Sequence, residues 1–351
     1  MSIKDIAEKV GVSKATVSIF LSDNETRRVG NQTKQKILKA IEDLDYRPNA
    51  VARALSSNRT NIIAILIPYN GPIFRSTYVD ELLSGIQSVL YPRGYSMLFM
   101  PTQGQSSPDM VKHQMDIGLG YDGYILFGTR YCTLEDMSGN SKLLLRSGVP
   151  FSVVNMPEID LDINQVIDVD PPETDAMDYL IRLGHKRIIL VAGREAAPET
   201  RTALDGYRKS LISAELEIHE QDILYCDYER DLARSLMTKR IGSGVDFTAV
   251  YCYSDTMAAG VYEALGNNGF EIPGDVSVVG RNDSFFASIM DPPLTTVRRP
   301  IFESGVRASE CVLRAIDGAD DKRKIFLKST LIQRMSTAPL LISNLSSIGD
   351  I

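Results

Sequence analysis

The stretch IKDIAEKVGVSKATVSIFLS, Ile3 to Ser22, decides how the N-terminal part of the chain is read. Wound at about 3.6 residues per turn, IKDIAEKV places Ile3, Ile6, Ala7 and Val10 on one face. Gly11 then stops that helix and Ser13 caps the next. In the second helix Val17, Phe20 and Leu21 share one face, while Ala15, Ile19 and Ser22 share the other. Helix, short glycine-containing turn and capped helix make a helix-turn-helix, whose second helix enters the DNA major groove. A later segment, TKQKILKAIEDL, supplies Ile37, Ile41 and Leu44 to close a small three-helix core. Ile19 stands out because it points away from that core. A large β-branched residue there either meets a partner or is one of the scattered exposed apolar residues found on any protein.

The charge distribution agrees with a DNA-binding head on a different kind of body. The whole chain carries a net charge of −7, but residues 1–60 hold 11 Lys/Arg against 7 Asp/Glu. A basic module on an acidic body implies that only the first part meets a polyanion. Next, YRPNAVARALSSNRT, Tyr46 to Thr60, opens with Pro48 at a helix first turn, and Val51, Ala52 and Leu55 make only a thin apolar stripe. Such a segment is expected to order only against a partner.

From Asn61 onward apolar runs alternate with amphipathic helices: IIAILIP, VDELLSGIQSVL, YSMLFMP, a helix near VKHQMDIGL, GYILFG and PFSVVN. The alternation restarts with TDAMDYLIRLG and RIILVAG and continues to VSVVG. This pattern predicts parallel sheets covered on both faces, divided near residues 155–165 into two doubly wound lobes. Ligands of such folds bind beyond the carboxyl ends of the strands, which makes the cleft between lobes the natural site.

Other chemistries find little support. Cys132, Cys226, Cys252 and Cys311 are far apart and read as buried thiols, and His113, His185 and His219 are too scattered for a metal centre. Gly118, Gly120 and Gly123 spell G-x-G-x-x-G, yet a dinucleotide fingerprint follows a strand and opens a helix, and this one leads into the strand YILFG. It is rejected as a cofactor site. No apolar run nears the about 20 residues needed to span a bilayer, and no secretion signal is present, so a cytoplasmic protein without membrane partners is expected.

Several motifs converge on one family. IKDIAEKVGVSKATVS followed by YRPNAVARAL resembles the DNA-binding head and hinge of the lactose-repressor and galactose-repressor family of bacterial transcription regulators. The likeness continues in order through YDGYIL, VPFSVVN, LIRLGHKRIILVAG, YSDTMAAGV, PPLTTV and LIQRMST. It implies an all-α helix-turn-helix head over residues 1–45, and a hinge helix and linker over 46–60. It further implies a two-lobed α/β sensor like periplasmic binding proteins over 61–340, and a short tail over 341–351. The implied function is a repressor of carbohydrate-utilisation genes, acting as a homodimer or tetramer on a near-palindromic double-stranded operator. No cofactor is implied beyond a small effector, a sugar or sugar derivative, bound between the lobes.

Carried over by position, Ser13, Thr16 and Ser18 match residues that hold phosphates, and Lys14 and Ala15 match the base-reading pair, with Ser22 on the same side. Asn49, Ala52 and Leu55 match minor-groove residues of the hinge, Leu55 as the apolar wedge. Tyr78, Asn155, Tyr228, Asp255 and Asn282 match effector positions, where aromatic faces stack on a ring and amides or carboxylates bond its hydroxyls. Four departures follow. Ala203 stands where an arginine is common, leaving Arg201 as the expected substitute. Arg281 precedes Asn282 where an aromatic and then an aspartate are usual, an exchange that favours an anionic effector. Gly30 replaces a capping Ser, so Asn31 is expected to cap the third helix. Ile19 replaces an arginine that reads guanine, which predicts an apolar contact, such as a thymine methyl, in its place.

Two readings from other classes compete. A solute-binding protein for transport would explain two lobes but leaves residues 1–60 without a role. An enzyme would need a positioned nucleophile, base or metal set, and none is visible. The tail LLISNLSSIGDI lacks heptads, so a dimer is expected rather than a coiled-coil tetramer.

Overall fold

The computed structural model describes residues 2–22, 29–46, 59–69, 73–101, 111–112, 120–129, 131–170, 176–244, 246–319 and 321–340. They form two compact units, residues 1–61 and 62–351. In the first, α1 (Ile3–Val10), α2 (Lys14–Ser22) and α3 (Asn31–Asp43) enclose Ile6, Val17 and Ile37, all fully buried. Gly11 ends α1 in the left-handed conformation, with φ 72°, a position that suits a residue lacking a Cβ. The Ser13 hydroxyl accepts the Thr16 backbone N–H at 3.1 Å, which caps α2. The cap expected of Asn31 is not formed. Helix α3 already includes Asn31, and extended Gly30 occupies the cap position without a side-chain bond.

The second unit holds two six-stranded sheets. In the first the order is β11 (Lys324–Lys328), β5 (Asn164–Val169), β4 (Phe151–Val154), β3 (Gly123–Phe127), β1 (Ile62–Ile67) and β2 (Ser96–Pro101), paired in parallel throughout. In the second it is β12 (Thr330–Ile332), β10 (Thr295–Arg298), β9 (Ser277–Asn282), β8 (Ala249–Cys252), β6 (Ile188–Ala192) and β7 (Ile223–Tyr225). Here β12 is an antiparallel edge and the rest are parallel. Central strands such as β3, β6 and β8 are buried along their whole length, as expected where helices cover both faces. Each sheet has an apolar cluster on either side, with Ile65 and Leu82 on one face of the first sheet and Leu66 and Met137 on the other.

The division into lobes differs from the one the hydropathy pattern predicts. Strand β5 begins at Asn164, at the expected boundary, yet pairs with β4 in the first sheet. The helix Ile301–Ile316 and β11 also return to the first sheet after β10 has closed the second. The chain therefore passes between the lobes after β5, after β10 and after β11. Local alternation of strand and helix carries no information about which sheet a strand joins.

The helix Thr77–Leu90 packs against Ile301–Ile316 at the glycine pair Gly85 and Gly305. All four cysteines are buried and unbridged. Gly123, the last glycine of the rejected fingerprint, opens β3, and a Cβ there would meet the Pro150 carbonyl oxygen at 3.1 Å. It is a packing glycine. The segment near VKHQMDIGL and the hinge lie mainly or wholly outside the described residues. No described helix is long and apolar enough to cross a membrane.

Candidate functional site

In the head, the N-terminal turn of α2 presents a short row of polar atoms. Ser13, Lys14 and Ala15 are exposed and Thr16 and Ser18 half-buried, and the Ser13 and Thr16 hydroxyls lie 2.9 Å apart. Ile19 is 37% exposed, one turn beyond Ala15, while Val17 beneath is fully buried. Ser22 ends the helix. A helix N-terminus with small hydroxyl residues lets phosphate oxygens approach its N–H groups closely. Asn49, Ala52 and Leu55 lie outside the described residues.

In the sensor, residues at the carboxyl ends of both sheets line one cavity of about 670 Å³, within the range of small-molecule sites. Asn155 follows β4, Tyr228 follows β7 by a short turn, and Asn282 ends β9; all three line the cavity. All three also have left-handed backbones, with φ of 60°, 62° and 104°. Such conformations cost on the order of 1–3 kcal/mol each and collect at ligand sites, where they re-aim a side chain as the strand ends. Tyr228 further depends on Gly193, because a Cβ at Gly193 would overlap the Tyr228 ring.

The first-lobe wall is a bonded group. Tyr78, on the helix Thr77–Leu90, stacks on Phe127 at 5.7 Å, and its hydroxyl donates to Asn155 Oδ1 at 2.8 Å. Asn155 in turn donates to the Gly128 carbonyl oxygen at 2.7 Å. Arg299 completes the group. Its Nη2 lies 2.8 Å from Asn155 Oδ1 and 2.7 Å from Asp168 Oδ2, and its guanidinium sits 4.8 Å from the Tyr78 ring centroid. Arg281, on β9, pairs with Asp170 at 2.7 Å and covers Tyr253 at 4.8 Å. Burial works against both cations, but Tyr253 and Asp170 around Arg281, and Tyr78 and Asp168 around Arg299, outweigh it and keep both protonated. Burial also pushes the Tyr78 and Tyr228 hydroxyls well up, so both are neutral donors.

Two expected residues lie elsewhere. Arg201 does not line this cavity; it borders a separate concavity with Arg194 and Arg208. The reason is helical phase: on Pro198–Ser213, Glu199 and Thr202 face the cavity, and Arg201 is about 200° around the helix from Glu199. Asp255 is fully buried beneath the cavity, where its oxygens accept from the Thr296 hydroxyl at 2.7 Å and the Ser284 N–H at 2.6 Å. Burial pushes its carboxyl up to about 6, and its neighbours Ser254 and Thr256 are the ones at the surface. The anionic effector expected from Arg281 is also disfavoured. That guanidinium is neutralised by Asp170, and the described lining residues hold five carboxylates against three guanidiniums. Conversely, Asp168, Asp170, Glu199 and Arg299 line the cavity without having been expected there. The signal that could have found the aspartates is DVD at the end of a strand, had NQVIDVD been read as one.

Residues 2–49 match the model of bacterial regulatory proteins of the lacI family, and residues 177–337 match a periplasmic binding protein-like domain. The HTH-type transcriptional repressor PurR of Vibrio parahaemolyticus is 31% identical over 328 residues, covering 93% of this chain and 95% of that protein. The chain belongs to the lacI family of bacterial regulatory proteins. PurR of Haemophilus influenzae is 30% identical, over 97% of this chain and 99% of its own length. Among solved structures of the family, the lac repressor dimer bound to operator and the anti-inducer ONPF superposes with a TM-score of 0.81 at 23% identity. It covers 96% of this chain and 99% of its own. The transcriptional regulator CelR in complex with cellobiose matches at 0.68 and 25% identity, with the same coverage. As a member of the family, the chain is a DNA-binding transcriptional repressor.

Proposed function

We propose that this repressor acts in the cytoplasm as a homodimer on a near-palindromic operator, and controls carbohydrate-utilisation genes in response to a neutral, sugar-like effector held between its lobes. The observation that carries the effector class is the make-up of the cavity wall. Tyrosine rings alternate with amide, carboxylate and guanidinium groups, a lining suited to a ring with apolar faces and a hydroxylated edge. Guanidiniums already cover Tyr78 and Tyr253, which leaves these two rings poorly placed to sandwich a flat heterocycle. Sugar effectors are also named with related structures, cellobiose with CelR and ribose with a lacI-family regulator from Enterococcus faecium.

Operator binding by the full chain should be steeply salt-dependent. With 6–10 phosphates engaged, affinity is expected to fall by about 10³-fold or more between 50 and 200 mM salt. Binding to a panel of palindromic duplexes, with and without neutral sugars, checks both halves of the proposal. Salt-insensitive binding, or no change with any sugar, would count against it.

Within the head, Ser13, Thr16 and Ser18 hold phosphates, Lys14 and Ala15 read bases, and Ile19 makes an apolar contact one turn further along α2. Ile19→Arg is expected to move the preferred base at one half-site position to guanine, with about 1–3 kcal/mol of new discrimination. Competition among duplexes varied at single base pairs measures this. An unchanged preference would mean that Ile19 does not face the bases.

A further inference from the structure

Two donors on residues lining the cavity have no acceptor among the described residues. Arg281 and Arg299 each give an Nη2 to a first-lobe aspartate, yet the Nε–H of both is buried without an acceptor among the described residues. The side chains are only 8% and 17% exposed, so water offers little relief. A buried unsatisfied N–H costs about 1–3 kcal/mol, and native structures seldom retain one without a reason. Two of them on arginines that line one cavity point to acceptors supplied by a ligand.

Charge decides what kind of acceptor. Asp170 already balances Arg281 and Asp168 balances Arg299, so neither guanidinium has charge to spare for an anion. Among the described lining residues such an anion would meet five carboxylates against three guanidiniums, with Arg281 and Arg299 each already held by an aspartate. A hydroxyl or carbonyl oxygen meets no such repulsion. We propose that Arg281 and Arg299 are specificity-determining residues of the cavity, donating their Nε–H groups to uncharged effector oxygens while their paired aspartates leave an anion no countercharge to bind. The proposal rests on reading this cavity as the effector site. In it, Arg281 stands on β9 of the second lobe and Arg299 just after β10, where the chain crosses back, while Asp168 lies on β5 of the first lobe and Asp170 follows that strand, so an effector bound to the two Nε–H groups sits where the lobes meet.

Isothermal titration of the full chain tests it. The probes are neutral mono- and disaccharides including ribose and cellobiose, their charged counterparts ribose 5-phosphate and cellobionic acid, and adenine. A neutral sugar is expected to bind, and its charged counterpart at least about tenfold more weakly. Arg281→Lys and Arg299→Lys keep a cation beside each aspartate but lack the Nε–H fork, and each should weaken the neutral sugar at least about tenfold. Their melting without ligand should stay near that of the parent. Lysine variants that bind as tightly as the parent, a charged probe that binds better than its neutral form, or adenine binding in place of sugars would each overturn the proposal. The comparison of neutral with charged probes uses the unmodified protein, so it holds even if a variant folds poorly. If no probe binds, or if Tyr228→Ala leaves sugar binding intact, the effector reading itself fails, and the proposal falls with it.

Discussion

Gly85→Val should destabilise the sensor by about 3 kcal/mol or more, enough to lower its melting temperature by several degrees. Gly85 lies where the helices Thr77–Leu90 and Ile301–Ile316 touch backbone to backbone. A Cβ there would fall inside contact distance of the Phe302 carbonyl oxygen and 2.9 Å from its carbon, and one on Gly305 would come 2.9 Å from Ile86 N. Backbone atoms cannot rotate away, so the helices would have to separate and open the apolar cluster that includes Leu82, Ile86, Ile301 and Ala308. Replacing a helical glycine normally stabilises, by at most about 1 kcal/mol relative to alanine, so at Gly85 the steric term wins. Gly206 provides the opposite case. It lies within the helix Pro198–Ser213, and nothing would come within 4 Å of an added Cβ. Gly206→Ala is therefore expected to stabilise by about 0.5–1 kcal/mol. Thermal melts of the two variants should move in opposite directions. Two shifts of the same sign would refute the account of the helix contact.

The contrast between these glycines shows what a single sequence can and cannot reveal. The head was readable because its core residues, Ile6, Val17 and Ile37, recur at helical spacing within short segments, and Gly11 and Ser13 mark the turn between them. The central strands were readable because burial on both faces makes them continuously apolar. Strand β5 was not, since Asn164, Gln165 and Asp168 interrupt its apolar pattern. All three are nonetheless largely buried, and Gln165 is satisfied locally. Its amide donates to the Pro157 carbonyl oxygen at 2.8 Å, and its oxygen accepts the Ile159 N–H at 3.0 Å. A polar residue buried with its partners has the hydropathy of an exposed one. Missing β5 misplaced the lobe boundary and concealed Asp168 and Asp170 together. Arg201 failed for a different reason, because counting residues along a motif did not account for the phase of the helix carrying it.

Arg299→Ala should have the largest effect at the cavity, destabilising the sensor by about 3–5 kcal/mol and abolishing effector binding. Arg299 lies 131 positions from Asp168, a separation across which no local pattern could announce the pair. Without the guanidinium, Asp168, only 8% exposed, keeps the Ser304 hydroxyl as a donor at 2.9 Å but loses its countercharge. The cost comes mainly from the stranded carboxylate, since an intact buried pair contributes little net stability over apolar residues of similar size. Arg299→Met combined with Asp168→Asn removes both charges and should recover at least about half of the lost stability. Effector binding should not return in that double variant. Asn155 and Tyr78 would still lack the donor and the overlying cation that Arg299 provides, and the cavity would lack one of its two Nε–H groups. Urea unfolding of Arg299→Met, Asp168→Asn and the double variant measures the coupling, and sugar titration at a temperature where all remain folded measures the binding. If the double variant regained binding along with stability, Arg299 would be a structural ion-pair partner and nothing more.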